Sequence, residues 1–167
     1  MSRFQLAQLN VGLTKGPMDS PLMADFVANL DRINALADQS PGFVWRLQDD
    51  SGNATSVRGT RPVPDNFIVN LSVWDNVAAL NHYVYKTAHV EIMKRRKEWF
   101  ERMAENHFVL WWVPRGHVPT VDEALARLDA LRANGPSELA FSFRHAFPAP
   151  DAPVDAPAPS FGDVCPA

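Results

Sequence analysis

The order of two hydrophobic periodicities constrains this chain more than any other feature. Two long segments, residues 20–37 and 76–103, repeat apolar side chains at helical spacing. Four shorter segments have alternating or continuous apolar side chains between turn residues, which is typical of strands: residues 4–13, 43–48, 66–74 and 107–114. The resulting order, β-α-β-β-α-β, predicts an α+β fold in which an antiparallel sheet carries both helices on one face.

A further helix and strand are expected after this pattern. Thr120 is predicted to cap a helix over residues 121–134, with Glu123 completing a capping box and Gly135 ending the helix. Residues 139–147, "LAFSFRHAF", are expected to add a fifth strand.

The C-terminal residues are rich in Pro, Ala and Asp. They contain too little apolar material to offset the entropy of ordering, which predicts a disordered or extended tail over residues 148–167. One domain is therefore expected over residues 1–147. Cys165, the only cysteine, lies in the tail and cannot form an internal disulfide.

Composition excludes several classes of function. The formal net charge is −3 and the longest basic run is "KRRK", which argues against nucleic acid as the main partner. No apolar run has the length of a membrane span or a signal core, so no membrane association is expected and the cytoplasm is the expected location. Nucleotide, flavin and zinc-hydrolase motifs are absent, so nucleotide-dependent chemistry has no support.

One face of the predicted sheet is wholly apolar. With both helices on the opposite face, this apolar face would be bare, and burial against a second copy is the simplest remedy. We therefore expect a homodimer. The face consists of Leu9, Val11, Phe43, Trp45, Leu47, Phe67, Val69, Leu71 and Val73.

The opposite face carries polar side chains. It could simply be exposed to solvent, or it could line a pocket between sheet and helices in which a few polar groups orient a small molecule. Because the helices are expected to cover one face of the sheet and a second copy the other, neither face would be open to solvent, which favours the pocket. The polar set comprises Gln8, Asn10, Arg46, Gln48, Asn70, Ser72 and Trp74.

The helix predicted over residues 76–103 has Tyr85, His89 and Arg96 at the edge of its apolar stripe. A residue at this edge can point into the seam between helix and sheet. His89 could equally be a half-buried histidine that bonds a backbone carbonyl. His82 and His89 are too far apart along the helix to share a metal ion, whereas a single axial histidine for haem has no spacing requirement.

The segments "AQLNVG", "SPGFVWRLQ", "NLSVW", "AHVEIMKRR" and "LWWVP" resemble the DUF3291 family. The resemblance extends from Phe4 to about Pro148. It implies a ferredoxin-like fold within the dimeric α/β-barrel superfamily, which includes the antibiotic-biosynthesis monooxygenases. The family itself has no assigned reaction.

The wider superfamily implies roles for particular residues. Its cofactor-independent, quinone-forming monooxygenases have an Asn and a Trp at the spacing of Asn70 and Trp74, with a Tyr nearby. Tyr83 or Tyr85 could take this third role, although neither lies at that family's spacing, and Tyr85 is the predicted site residue. Its haem-degrading members carry an iron ligand late in the equivalent helix, which implies His89 as base or axial haem ligand. Substrate-binding roles are expected for Asn10, Arg46, Ser72, Trp112 and Arg96.

The resemblance implies a monooxygenase-like oxidoreductase that acts on a small aromatic or polyketide-like molecule, with or without haem. Two alternatives stay open: a non-catalytic small-ligand or haem-binding protein, and an isomerase or decarboxylase with His89 as acid or base. Neither substrate nor cofactor follows from the sequence.

Overall fold

The fold is built on one antiparallel sheet of four strands in the order β2-β3-β1-β4. The computed structural model describes residues 1–159, so Cys165 and the end of the predicted tail lie outside the described residues. The strands are β1 (Phe4–Leu13), β2 (Phe43–Arg46), β3 (Phe67–Trp74) and β4 (Phe108–Pro114). This topology, with helices packed on the sheet, confirms the α+β, ferredoxin-like prediction.

The predicted helix over residues 76–103 is not continuous. Its residues form three helices that pack with α1 (Ala24–Asp38) on one face of the sheet: α2 (Val77–Lys86), α3 (His89–Lys94) and α4 (Arg96–Trp99). The first break is at Thr87, whose backbone is extended (φ −120°, ψ 179°). The Thr87 hydroxyl donates to the Tyr83 carbonyl and accepts from the His89 amide, so it satisfies backbone groups that the break exposes.

The start of the first helical segment also differs from the prediction. A 3-10 turn over Pro21–Met23 precedes α1, and the Ser20 hydroxyl donates to the Pro17 carbonyl instead of capping the helix. Met23 is the last residue of this turn and is fully buried against Phe26 and Trp99. The turn therefore sets the packing of α1 against the end of the helical layer.

The apolar face of the sheet is covered within the chain, so the expectation of a bare face is wrong. Helix α5 (Val121–Asn134) packs across it through five buried side chains. Leu9 and Leu71 are 0% and 1% exposed without any partner chain. The homodimer stays a prediction, but a bare apolar face no longer supports it. The helix contributes Val121, Ala124, Leu125, Leu128 and Leu131.

The predicted cap of α5 is confirmed at Thr120, whose side chain accepts a hydrogen bond from the Glu123 amide. Gly135 ends the helix with a φ of 73°. Glu123 does not complete the capping box. Its carboxylate instead accepts from Trp111 Nε1 at 3.1 Å and lies 2.8 Å from His117 Nε2, so it connects α5 to β4.

Two strand predictions are wrong for reasons that involve distant residues. A bulge in β2 places both Phe43 and Trp45 against adjacent residues of β3, which moves Phe43 off the predicted apolar face to a position beside Trp74. The expected fifth strand reduces to two isolated bridges, Phe141 with Leu110 and Ala140 with Ser137, followed by a 3-10 turn over residues 143–145.

The described part of the predicted tail contains neither helix nor strand. It nonetheless contacts the domain, since Asp151 accepts hydrogen bonds from the Ser2 hydroxyl and the Arg3 amide, each at 2.7 Å. The boundary at residue 148 stays a prediction. Among residues 1–159, none of the helices combines the length and apolar character needed to cross a membrane.

We predict that Leu128→Ala destabilises the protein by about 2–5 kcal/mol, because it removes a buried side chain between α5 and the sheet. Leu139→Ala is the matched control, since Leu139 is 64% exposed and should change stability by less than about 0.5 kcal/mol. Urea unfolding measures both. Equal effects of the two substitutions would contradict the packing of α5 described here.

Candidate functional site

A band of four polar side chains crosses the side of the sheet that faces α1, α2, α3 and α4. We call Gln8, Asn10, Asn70 and Ser72 the polar band. The strand register pairs Gln8 with Ser72 and Asn10 with Asn70 across β1 and β3. Directly opposed side chains lie about 4.5–5.5 Å apart at their Cβ atoms, so the register brings the four together.

Hydrogen bonds fix the buried half of the polar band. Gln8 Nε2 donates to Asn70 Oδ1 at 2.7 Å and to Ser72 Oγ at 2.9 Å. Ser72 Oγ also accepts from Trp74 Nε1 at 2.8 Å. These bonds use Asn70 Oδ1 as an acceptor. Asn70 Nδ2 makes no hydrogen bond to residues 1–159 and is available as a donor to a ligand.

Solvent reaches the polar band at one end. Asn70 is exposed, although Ser72 and Gln8 beside it are only 6% and 5% exposed. Apolar clusters border the band on both sides along the strands: Leu6, Trp74 and Leu80 on one side, Trp99 and Phe100 on the other. A polar patch between two apolar clusters, accessible from solvent, suits a small molecule that is mostly apolar with a few polar groups.

An aromatic stack connects the polar band to His89. Trp74 stacks on Tyr83 with ring centroids 5.1 Å apart, and Tyr83 contacts the His89 ring at 4.8 Å. Tyr83 OH donates to the Ile33 carbonyl at 3.3 Å, and burial raises the pKa of this phenol. The sequence leaves the tyrosine role open between Tyr83 and Tyr85, with Tyr85 as the predicted site residue. In the structure it is Tyr83 that lies between Trp74 and His89.

His89 is a neutral imidazole with an unused acceptor. Burial lowers its pKa to about 4, an effect only partly opposed by a backbone contact with Val84. Its Nδ1 atom is buried and has no hydrogen-bond partner within residues 1–159. The expected bond between His89 and the backbone is present as the contact with Val84, whereas Nδ1 has no partner among the described residues.

Arg96 extends from α4 over the other end of the polar band. Its Nη1 atom donates to Asn10 Oδ1 at 3.3 Å and its Nη2 atom donates to the Val11 carbonyl at 3.0 Å. The guanidinium lies over the Phe100 ring at 4.7 Å. The predicted residues Asn10, Ser72 and Arg96 thus join Asn70 and Trp74 in one set of contacts.

Two other predicted site residues, Arg46 and Tyr85, have different surroundings. Arg46 is paired with Asp38 at 2.8 Å and also donates to the Gly52 carbonyl at 2.6 Å. Tyr85 packs edge-on against Phe143, away from the Trp74 stack. These contacts connect β2, α1 and the C-terminal segment, and they give both residues a role in packing.

Trp112 donates its Nε1 hydrogen to the Phe147 carbonyl at 3.0 Å. Its ring also lines an open cleft of about 310 Å³ with Asp75 and Arg115. A second open cleft of about 390 Å³ is lined by Asn76 and His82. Both clefts lie beyond the C-terminal end of β3, and neither is lined by Asn70 or His89.

The surroundings of His89 Nδ1 do not fit haem. An axial ligand needs an open face beside the coordinating nitrogen for the macrocycle. Nδ1 has no solvent access, and Tyr83 covers the ring. Within residues 1–159, no group of three or more His, Cys, Asp or Glu side chains is arranged to hold a metal ion.

We predict that acidification destabilises the protein partly through His89. Its folded pKa of about 4 lies below the ordinary value near 6.5, so the unfolded chain binds more protons within this window. Stability therefore falls as the pH falls from about 6.5 to about 4, by up to about 3 kcal/mol for His89. Burial, with Arg96 and Arg132 nearby, also lowers the pKa of His107 to about 4, so it adds to the effect.

Urea unfolding of His89→Gln at about pH 5 and about pH 7 measures this contribution. The variant should lose part of the pH dependence and keep the part due to His107. His82→Gln is the control, since His82 is exposed. An unchanged pH dependence in His89→Gln would contradict the buried, neutral imidazole.

The fold resembles solved structures of low sequence identity. One is SnoaB, a cofactor-independent oxygenase from Streptomyces nogalater: 18% identity over 70% of this chain and 98% of that chain, with a TM-score of 0.44. Another is a dabb family protein with a ferredoxin-like fold from Mesorhizobium loti, with 17% identity over 70% and 98% of the two chains and a TM-score of 0.43. Comparison with curated proteins gives no match.

A family model matches almost the whole described chain. It covers residues 5–156, from β1 through α5 to the segment beyond the 3-10 turn at residues 143–145. The matched range includes the polar band, the aromatic stack and Arg96. The chain therefore belongs to the family described as a domain of unknown function, DUF3291.

Proposed function

We propose that this protein is a monooxygenase-like oxidoreductase that binds a small hydroxylated aromatic molecule at the polar band. The observation that carries the proposal is the exposed Asn70 beside the buried Gln8 and Ser72. Its amide is held through Oδ1, which leaves Nδ2 as a donor toward a ligand oxygen. The apolar clusters on either side supply contacts for aromatic rings.

The proposed chemistry begins with loss of a proton from the bound molecule. Asn70 Nδ2 would donate a hydrogen bond to the ring oxygen and stabilise the negative charge that develops there. We assign proton acceptance to His89, because its imidazole is neutral at pH 7. Nδ1 is closed off behind Tyr83, so the assignment requires this contact to open when the molecule binds.

Molecular oxygen is the oxidant in the next step. A ring CH₂ next to a phenolic system can be converted to a carbonyl with one O₂, releasing one H₂O: the carbon loses two hydrogens and gains one oxygen atom. The oxygen atoms and electrons balance without an added reductant. The proposal therefore requires no cofactor in the polar band.

A non-catalytic ligand-binding protein is the second candidate. It is favoured by the covered position of His89, whose Nδ1 is out of reach of solvent. In this alternative Asn70 and the apolar clusters bind the molecule, and His89 contributes only to the aromatic packing with Tyr83. An isomerase or decarboxylase using His89 would differ from both, since it would turn over substrate without consuming O₂.

We predict that the protein consumes O₂ with anthrone as the probe and that Asn70→Ala lowers kcat/KM by about tenfold or more, equivalent to about 1.4 kcal/mol. His89→Ala should lower kcat by at least a similar factor. An oxygen electrode measures the rate, and absorbance follows the anthraquinone product. Asn134→Ala is the control, since Asn134 is exposed at the end of α5.

Each alternative gives a different pattern. Binding without O₂ consumption in wild type identifies a ligand-binding protein, and turnover without O₂ identifies an isomerase or decarboxylase. A His89→Ala variant that is only less stable, with unchanged kcat, makes His89 a core histidine. A His89-dependent Soret band on haem titration would overturn the cofactor-free proposal.

A further inference from the structure

Arg96 is a half-buried cation without an acidic partner. Among residues 1–159, no carboxylate lies within salt-bridge distance of its guanidinium. Its acceptors are the Asn10 side-chain amide and the Val11 carbonyl, both neutral. Burial lowers the pKa of Arg96, which expresses the unfavourable desolvation of this charge.

The neighbouring arginine shows the contrast. Arg95 is paired with Asp25 at 2.9 Å and with Glu98 at 2.8 Å, although it is the more accessible of the two. Arg46, which is also largely buried, is paired with Asp38. A buried charge is ordinarily paired because removing it from water is unfavourable. Arg127 also lacks a carboxylate partner within residues 1–159 and donates to the Leu139 carbonyl, but burial lowers the pKa of Arg96, so the missing counterion of Arg96 requires an explanation.

The position of Arg96 is held by the packing beneath it. Its guanidinium lies 4.7 Å from the centre of the Phe100 ring, and Phe100 lies close against Gly12. A Cβ atom at Gly12 would be 2.6 Å from the Phe100 ring, so a larger residue would displace the ring. The guanidinium is thus held over Asn10, beside the exposed Asn70.

We infer that the ligand of the polar band is an anion, with a carboxylate or an ionised acidic hydroxyl that pairs with Arg96. This inference rests on the binding site of the proposed function and names the charge of its ligand. A guanidinium has five N–H donors, and the two described hydrogen bonds leave others free. An anion between Arg96 and Asn70 Nδ2 would receive charge-assisted hydrogen bonds from one side and an amide hydrogen bond from the other.

His107 supports a positive local field. It precedes β4, and its pKa is lowered by burial and then by the charges of Arg96 and Arg132. Arg132 has Glu105 at 3.5 Å as a partner, whereas Arg96 has no carboxylate partner within residues 1–159. Arg96 and Arg132 therefore repel a further positive charge at His107, beside the place proposed for the anion.

The test compares two ligands of nearly equal shape, naphthalene-2-carboxylate and neutral naphthalene-2-carboxamide, by isothermal titration calorimetry. Wild type should bind the carboxylate at least tenfold more tightly than the amide. Arg96→Gln should remove this preference, and Arg96→Lys should restore part of it. Arg95→Gln is the matched control with the same change of charge, and it should keep the wild-type preference.

Melting temperatures show whether each variant is still folded. Benzoate should raise the Tm of wild type and of Arg95→Gln, and it should have a smaller effect on Arg96→Gln. If Arg96 serves only the fold, Arg96→Gln lowers the Tm while the carboxylate preference persists, which overturns the inference. Failure of wild type to bind either naphthalene compound, with no effect of benzoate, also overturns it.

Failure of the inference and failure of the proposed function give different results. Carboxylate preference that depends on Arg96, without O₂ consumption from anthrone, retains the anion site and removes the oxygenase. Turnover of anthrone that depends on Asn70, with equal affinities for carboxylate and amide, retains the oxygenase and removes the anion site.

Discussion

Burial of strand β1 on both faces is the constraint on which the rest of the structure depends. One face packs against α5 and the other against the helices of the opposite layer. The polar side chain of Gln8 lies in the middle of this strand, out of reach of water. Its donors must therefore find partners inside the protein, because an unpaired buried amide would cost about 1–3 kcal/mol. Ser72 and Asn70 supply those acceptors, and the polar band follows from this need.

The break between α2 and α3 decides where the aromatic stack lies. A continuous helix would set His89 at a fixed angle from Tyr83, on a stripe given by the helical period. With the extended backbone at Thr87, the chain turns and the His89 ring contacts Tyr83. The Thr87 hydroxyl satisfies backbone groups on both sides of the break. A local hydrogen bond thereby makes the change of direction possible without a proline or glycine.

Arg96 differs from two other arginines beside the sheet in having no carboxylate partner within residues 1–159. Arg46 and Arg95 have carboxylate partners, and their ion pairs join separate elements of the chain. Arg96 contacts only neutral oxygens and an aromatic ring among the described residues. Gln8, Ser72 and Asn70 Oδ1 already form hydrogen bonds with one another. The groups left for a ligand are therefore the guanidinium of Arg96 and the amide donor of Asn70. This combination selects for negative charge more than for any particular carbon skeleton.

The sequence by itself determined the strand and helix order, because hydrophobic periodicity is local and is set by which face each element buries. It also placed Asn10, Asn70, Ser72 and Trp74 on one face, since alternation along a strand needs no knowledge of distant residues. Only the tertiary structure decided that α5 covers the apolar face, that a bulge moves Phe43 to the other face, and that Arg46 forms an ion pair with Asp38. Each of these depends on contacts between residues far apart in the chain. Local pattern carries no information about such contacts, because the partner of a charge or an apolar face is chosen by packing.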